Sequence, residues 1–308
     1  MKHCDLVIPL YNEAASLEEL HRQIVVVMSG LPVTYTVIFV DDGSTDRTME
    51  ILERLADADP HVKIISFTRN FGHQIALTAG LEHSSGDCVI TMDGDLQHPP
   101  QLIPELLRVW EEGRYQVVST VREDHDSVPL LKKVSARAFY KLINLFSDIT
   151  LTPGSADFRL LDRQVVSVLM QFREKNKFLR GLVNWIGFKS TSVAYRCQKR
   201  FGGHPQYSFS RMVKFAWDGI TALSAFPLRL AFCSGFLISL CSFSYGVFAI
   251  VAKVVGVMTV PGWTSILVSV LFLGGLQLMF IGMLGEYIAR IFDEVKDRPL
   301  YVVKKTRL

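Results

Sequence analysis

The segment CVITMDGDLQHPP, residues 88–100, carries the strongest signal for both the fold and the chemistry of this chain. Its first five residues are apolar or β-branched, a pattern typical of a buried strand in a parallel sheet. Asp93 and Asp95 follow on alternate positions, and Gln97 comes next on the same spacing. Carboxylate and amide oxygens suit Mg²⁺ or Mn²⁺, and such a metal most often holds a diphosphate. A turn that only starts a helix at the two prolines is the alternative, but it leaves the second acid unexplained.

Strand-like and helix-like segments alternate through the first 120 residues. The apolar runs cover residues 6–10, 33–40, 62–67, 88–92 and 116–120, and helical patterns cover residues 17–28, 47–58, 74–83 and 101–112. This alternation predicts an α/β fold, with a Rossmann-like, mostly parallel sheet and helices on both of its faces. Ligands of such sheets bind at the carboxyl ends of the strands, which is where the polar clusters of this chain fall.

The first strand runs into Pro9, Tyr11 and Glu13. The proline keeps the chain extended, the tyrosine offers a flat face for a base, and the glutamate offers an acceptor for ribose hydroxyls. Ordinary helix capping by Asn12 and Glu13 is the alternative.

The second and third strands also end in polar or small residues. Asp41 and Asp42 close the second strand, and one of the two is expected to be structural in the turn. Asp41 is the better candidate for a uracil contact and Asp42 for a ribose or turn contact. Gly72, after the third strand, lets the backbone approach a ligand closely.

Asp157 lies between a small residue and an aromatic one in GSADFRLLDR, residues 154–163. A half-buried carboxylate in such a setting can have a raised pKa and serve as a general base. A structural ion pair with Arg159 is the competing interpretation.

Two long stretches near the end of the chain, residues 230–252 and 254–285, contain no charged residue. Each exceeds the roughly 20 apolar residues that cross a bilayer core. Basic residues flank the pair on both outer sides, whereas the connecting stretch carries only Lys253. The positive-inside rule therefore predicts two spans with both termini in the cytoplasm. Two buried core helices are the alternative. The amino terminus shows no apolar leader, so we expect no signal peptide.

The stretch before the membrane is basic. Between Arg163 and Trp217 there are eleven Lys or Arg residues and one acid, Glu174. Such a surface suits anionic headgroups or a lipid phosphate, and the absence of a recognisable motif argues against nucleic acid. Residues 129–146 and 208–223 read as basic amphipathic helices at the membrane surface. Packing on the sheet, or a solvated face, is the alternative.

Five segments, in this order, resemble the family-2 glycosyltransferases of GT-A fold. They are PLYNE at 9–13, VDDGS at 40–44, RNFG at 69–72, DGDLQ at 93–97 and ADFR at 156–159. More narrowly, the chain resembles polyprenyl-phosphate glycosyltransferases, which include bactoprenol glucosyltransferases and dolichol-phosphate mannose synthases. The ending, FLGGLQ at 272–277 through GEYI at 285–288, is similar to the two-span bactoprenol branch, so the resemblance covers nearly the whole chain.

The resemblance implies a role for each matching residue. Asp157 and Asp95 would be catalytic. Asp157 would lie by the acceptor, where we expect it to orient the phosphate or take a residual proton, because a mostly dianionic phosphate needs little deprotonation. The nucleotide-sugar site would comprise Pro9, Tyr11, Glu13, Asp41, Asp42, Gly72, Asp93 and Asp95, and the metal ligands would be Asp93, Asp95 and Gln97.

One departure from the family concerns the acceptor. The family tends to carry an Arg-x-x-Gly-x-Ser-Lys-Tyr pattern before the membrane, but here Pro205 and Gln206 replace the Ser and the Lys. Arg200, together with Arg122 or His204, must then bind more of the lipid phosphate.

The resemblance implies inverting transfer of a hexose, glucose above others, from a UDP-sugar to undecaprenyl phosphate. The cofactor would be Mg²⁺ or Mn²⁺, and the enzyme would lie in the bacterial cytoplasmic membrane. Its product would serve the modification of envelope glycans such as the lipopolysaccharide O-antigen. A mannose or aminosugar synthase with another nucleotide sugar or polyprenol is the alternative, and a nucleotide-regulated membrane transport subunit is the remote one.

The expected domains are a GT-A core at 1–125, an acceptor region at 126–228, two transmembrane helices at 229–289 and a basic cytoplasmic tail at 290–308. A homo-oligomer is possible, because Gly274 and Gly275 permit close packing of helices.

Overall fold

The computed structural model describes residues 1–123, 155–175, 177–196, 226–255 and 262–308. The chain divides into two compact units, one formed by Met1–Ala216 with Pro299–Leu308 and the other by Trp217–Arg298. The first unit contains the sheet and the second contains two long helices. Arg200, His204 and both predicted amphipathic helices lie outside the described residues.

The sheet of the first unit has eight strands among the described residues, in the order β7-β5-β6-β4-β1-β2-β3-β8. Their bounds are β1 His3–Leu10, β2 Thr34–Asp41, β3 Val62–Phe67, β4 Cys88–Thr91, β5 Val117–Glu123, β6 Ser155–Asp162, β7 Ser190–Arg196 and β8 Val303–Arg307. The pairings β1–β2, β1–β4, β2–β3 and β5–β7 are parallel, whereas β6 and β8 run antiparallel to their neighbours. The sheet is therefore mixed, with six strands in one direction.

Helices cover both faces of this sheet. They are α1 Leu17–Ser29, α2 Thr48–Ala58, α3 His73–Glu82, α4 Ile103–Glu111, α5 Arg163–Leu169 and α6 Leu179–Trp185, with a 3₁₀ turn at Pro100–Leu102 before α4. One buried cluster joins α1, α2 and α4 to one face, and a second joins α3, α5 and α6 to the other. Alternate β1 residues serve the two clusters, since Leu6 and Ile8 belong to the first and Val7 to the second. This alternation is the period-two pattern of a strand buried on both sides.

The prediction of an α/β fold with helices on both faces is confirmed, and each of the first five strands and four helices forms within a few residues of its predicted position. Three strands were missed. Strand β6 inserts between β4 and β5, β7 pairs with β5 at one edge of the sheet, and β8 pairs with β3 at the other. Strand β6 contains Asp157 and Arg159, β7 is rich in hydroxyl side chains and β8 is mostly basic, so none of the three shows the apolar run that marks the first five strands.

The second unit contains α7, Phe226–Val254, and α8, Trp263–Val295. Within the described residues, one segment, Phe272–Val295, is long and apolar enough to cross a membrane, and Ala231–Tyr245 is a shorter apolar helical segment. Most large apolar side chains described on the two helices are exposed. The prediction of two spans is thus supported at one segment only, and the second span and the topology stay predictions.

Candidate active site

The sheet order 3-2-1-4 places a topological switch point between β1 and β4. Helices α1 and α4, which follow β1 and β4, pack on the same face of the sheet, whereas α3, which follows β3, packs on the other. The loops after β1 and β4 leave neighbouring parallel strands at the same edge of the sheet, where ligands of such sheets bind. Strand β6 runs antiparallel to β4, so its beginning lies at the same edge.

Asp41 and Asp42 close β2, and both side chains are 2% exposed. Asp41 accepts hydrogen bonds from the Ser44 backbone N–H at 3.0 Å and the Ser66 hydroxyl at 2.8 Å. Asp42 accepts from the backbone N–H groups of Phe71 at 2.6 Å and Gly72 at 2.9 Å. Both carboxylates therefore hold neighbouring loops together, and their predicted nucleotide contacts stay predictions.

Gly43, between these carboxylates and the next helix, has a φ of +69°. A Cβ atom at this position would lie 2.3 Å from the Arg69 carbonyl carbon. The loop after β2 thus contacts the backbone of the loop after β3 so closely that only glycine fits.

The loop after β1 presents an exposed aromatic ring. Tyr11 is 45% exposed, whereas Pro9 is buried within β1. Asn12, at φ +57°, accepts a hydrogen bond from the Thr45 backbone N–H at 2.8 Å, and its own N–H donates to Ser44 Oγ at 3.0 Å. These contacts attach the loop that carries Tyr11 to the turn after β2.

The turn after β4 alternates between partly exposed and buried residues. Asp93, Asp95 and Gln97 are half-buried, whereas the residues between them are buried. The oxygen-bearing side chains are thus the accessible members of the turn. Continuing the β4–β6 register two residues past the Thr91–Arg159 pair brings Asp157 opposite Asp93. The structure therefore brings together three predicted site residues, Asp93, Asp95 and Asp157.

His73, the first residue of α3, links two of these carboxylates. Its Nε2 atom lies 2.9 Å from Asp93 Oδ1, and its Nδ1 atom lies 4.0 Å from Asp157 Oδ2. On the other side of the turn, the Asp93 backbone N–H donates to His98 Nδ1 at 3.0 Å. The His98 ring in turn stacks on Phe158, with a centroid distance of 5.3 Å.

Asp157 is 6% exposed and forms ion pairs with two arginines. Arg180 Nε donates to Asp157 Oδ1 at 2.7 Å and Arg180 Nη2 to Oδ2 at 2.8 Å, the two-point geometry that guanidinium groups form with carboxylates. The buried Arg159 donates from Nη2 to Asp157 Oδ1 at 3.2 Å. The ion pair with Arg159, which was the competing interpretation of the sequence, is present, and Arg180 was missed.

Opposing effects act on the pKa values of these groups. Burial by itself would raise the pKa of Asp157, but Arg180 and Arg159 outweigh burial and hold it well below its ordinary range. The expectation of a raised pKa at Asp157 was wrong for this reason. Burial would likewise raise the pKa of Asp93 and lower that of His73. Their mutual hydrogen bond prevails, so the pKa of Asp93 is lowered and that of His73 is raised.

The residues of the β4 turn fit a divalent cation only together with a ligand. Within the described part of the chain, no three His, Cys, Asp or Glu side chains form a group that could hold a metal ion. Two carboxyl groups and an amide nevertheless offer hard oxygen donors on accessible alternate positions. Phosphate oxygens and water complete the octahedral shell of Mg²⁺ in such sites. The donor set is therefore suited to a metal that arrives with a diphosphate.

Two predicted acceptor residues, Arg200 and His204, lie outside the described residues, and Arg122 is exposed on β5. The structure instead reveals His73, Gln74 and Arg180 around Asp157. His73 and Gln74 directly follow the RNFG segment, so the motif could have indicated them. Arg180 gave no signal, because it lies 23 positions after Asp157 and outside the ADFR segment.

Comparison with known proteins identifies the family. Residues 5–169 match the family model described as glycosyl transferase family 2. The chain belongs to this family. It is a glycosyltransferase, and the matched region contains the carboxyl ends of β1, β2 and β4 and every described acidic residue of the site.

Family members similar to this chain along nearly all of its length occur in several bacteria. A Bacillus subtilis protein named uncharacterized glycosyltransferase YkcC is 43% identical over 98% of this chain and 93% of its own. The SfII prophage-derived bactoprenol glucosyl transferase of Shigella flexneri is 40% identical over 98% of this chain and 97% of its own.

The fold also recurs in a solved structure, the mannosyl-3-phosphoglycerate synthase of Rubrobacter xylanophilus. The TM-score is 0.51 at 17% identity, with 76% of this chain and 75% of that chain covered. At this level of identity the likeness concerns the fold alone, which agrees with the expected GT-A architecture.

Proposed function

We propose that this enzyme transfers a hexose, glucose above others, from a UDP-sugar to undecaprenyl phosphate with inversion. One observation carries the proposal: Asp93, Asp95 and Gln97 occupy the accessible positions of the turn at the switch point, beside a cationic cluster. The 40% identity to a protein named bactoprenol glucosyl transferase supports the lipid acceptor. The apolar segment Phe272–Val295 supports a membrane location. The proposal includes two membrane spans and an active site on the cytoplasmic side.

The reaction would be a direct displacement at the anomeric carbon of the sugar. A phosphate monoester has a second pKa of about 6, so at neutral pH it is mostly a dianion and attacks without losing a proton. The bond to the UDP oxygen breaks as the bond to the acceptor phosphate oxygen forms, and the leaving electron pair stays on UDP. Inversion follows from attack opposite the leaving group.

The residues of the site have distinct roles in this scheme. Tyr11, exposed beside the β2 turn, would stack on the uracil ring. Asp93, Asp95 and Gln97 would hold Mg²⁺ or Mn²⁺, which neutralises the charge that develops on the departing diphosphate. His73 would hold the Asp93 carboxylate in place through the 2.9 Å contact.

The test uses membranes that contain the full chain, undecaprenyl phosphate, Mg²⁺ and a panel of radiolabelled UDP- and GDP-sugars. We expect label from UDP-glucose in an organic-extractable lipid, with loss of label on EDTA treatment and recovery on addition of Mg²⁺ or Mn²⁺. Label from another nucleotide sugar would replace the donor. No lipid label from any donor, with protein shown to be folded, would overturn the lipid acceptor.

A further inference from the structure

We propose that Arg180 binds a phosphate group of a substrate and that Asp157 is a positioning residue that holds Arg180 in place. This inference rests on the proposed function, because it adds a phosphate-binding residue to the same site. It also assigns to Asp157 a different task from proton abstraction.

The first argument is geometric. Asp157 is surrounded by two guanidinium groups, of which Arg159 has a side chain 5% exposed and Arg180 a side chain 34% exposed. Of this pair, Arg180 is the one that a substrate can reach. An arginine that is already aligned by a carboxylate loses little side-chain entropy when it binds phosphate oxygens.

The second argument is the charge of the cluster. Two arginines and one aspartate leave one net positive charge at the beginning of β6. The contacts continue from Asp157 through His73 to Asp93, which belongs to the turn expected to meet the diphosphate. The transfer brings two phosphate-bearing substrates together, so a cation next to this turn reduces their repulsion.

The third argument concerns what Asp157 does not need to do. A proton taken up by Asp157 would weaken the charge-assisted hydrogen bonds that it accepts at 2.7 and 2.8 Å. A dianionic phosphate has little need of a base. A carboxylate held ionised by two arginines is therefore suited to orienting a cation.

The scaffold behind Arg180 supports this arrangement. Gln74 Oε1 accepts a hydrogen bond from the backbone N–H of Leu179 at 3.2 Å, and Gln74 Nε2 lies 3.4 Å from Asp157 Oδ2. One residue of α3 thus contacts both the backbone next to Arg180 and the carboxylate that holds its side chain.

The phosphate could belong to the acceptor or to the donor, and a binding experiment distinguishes the two. Full-length protein in detergent would be titrated with UDP in one arm and with a short-chain prenyl phosphate in the other, and the parent prenol would control for the tail. For Arg180→Ala we expect binding to weaken about 10-fold or more in one arm, as for the loss of a charge-assisted contact. Weakening with the prenyl phosphate assigns Arg180 to the acceptor, and weakening with UDP assigns it to the donor.

Two further variants separate binding from folding. Arg180→Lys keeps the charge without the two-point geometry, so binding should weaken less than in Arg180→Ala. If Arg180→Ala does not fold, the binding measured with Arg180→Lys tests the proposal in its place. Arg173→Ala removes an exposed arginine from a nearby loop and should bind both ligands as the wild type does. Unchanged binding in both Arg180 variants would overturn the proposal.

A double-mutant cycle tests the role of Asp157. If Asp157 acts through Arg180, Asp157→Asn should raise KM for the same substrate, and Asp157→Asn with Arg180→Ala should be no worse than the more damaged single variant. The positioning role would be overturned if the losses of activity in the two single variants multiplied in the double variant and if Asp157→Asn lowered kcat alone. The titrations with UDP and prenyl phosphate do not need turnover, so they still test Arg180 if the wild type makes no lipid-linked sugar. A failure of the proposed function can thus be told apart from a failure of this inference.

Discussion

Two acidic turns of this enzyme look alike in sequence and differ in what they do. Each follows a parallel strand, yet Asp41 and Asp42 are 2% exposed and accept hydrogen bonds from their own and the next loop. Asp93 and Asp95 are half-buried. The difference lies in what covers each turn. The loop after β3 covers the β2 turn through the backbone N–H groups of Phe71 and Gly72, whereas the β4 turn leaves its alternate polar side chains accessible.

The largest effect should come from the β4 turn. Asp95→Asn removes a negative oxygen donor from an accessible position, so we expect transfer to fall by about 100-fold or more, as for other losses of electrostatic stabilisation. The melting temperature should hardly change, because the side chain is not part of the core. Initial rates at saturating donor and Mg²⁺, with circular dichroism melts, would measure both.

The control for Asp95→Asn is Glu111→Gln, which changes an exposed carboxylate at the end of α4. It should keep nearly full activity. Retention of normal transfer by Asp95→Asn itself would remove the functional distinction between the two turns.

The β2 turn should show the opposite result. Asp42→Asn replaces one of the two oxygens that accept from Phe71 and Gly72 by an amide donor, which leaves a buried N–H without an acceptor. We expect the free energy of unfolding to fall by about 2 kcal/mol. The folded fraction should keep most of its specific activity. Chemical denaturation of the detergent-solubilised chain gives the first quantity and rates per folded molecule give the second.

A smaller effect should appear in the pH dependence of stability. Burial raises the pKa of Asp42 in the folded protein, so the native state binds a proton more readily than the unfolded state does. The contribution of Asp42 to the free energy of unfolding therefore falls as the pH rises. Asp93 has a lowered pKa and His73 a raised one. The Asp93–His73 pair therefore stabilises the folded state above about pH 3.9, the unfolded pKa of an aspartate. This stabilisation is lost as the pH rises from about 6.5, the unfolded pKa of a histidine, through the raised pKa of His73 in the folded protein.

The stability difference between wild type and Asp42→Asn should therefore shrink steadily from acid to neutral pH. The difference between wild type and Asp93→Asn should pass through a maximum. Denaturation midpoints in EDTA across this range would measure both curves. If the two stability differences depended on pH in the same way, Asp42 and Asp93 would not differ in the direction of their pKa shifts.

Much of the catalytic core was predictable because its signals are local. Apolar runs with intervening helical periodicity gave the first five strands and four helices, and the acids at the strand ends gave the turns after β2 and β4. Strand β6 was not predictable in this way, because Asp157 and Arg159 interrupt the apolar run that marks the other central strands. The segment that forms it was therefore interpreted only as a functional motif.

The site was predictable to the extent that its motifs carry it. Asp93, Asp95 and Asp157 were named, and the structure brings them to one edge of the sheet. The ionisation of Asp157 was not predictable. Its neighbours in sequence suggested a raised pKa, but Arg180, 23 positions later, reverses the direction.

The sequence by itself determined the α/β class, the family and the strand ends at which chemistry occurs, because these depend on periodicity and on short motifs. Tertiary structure alone decided which carboxylates are accessible and which are enclosed, and which cation holds Asp157. Burial and ion pairing depend on groups that are close in space and far apart in the chain. Two turns of similar composition therefore acquired different environments, because the loop after β3 encloses the β2 turn while the carboxylates of the β4 turn stay accessible.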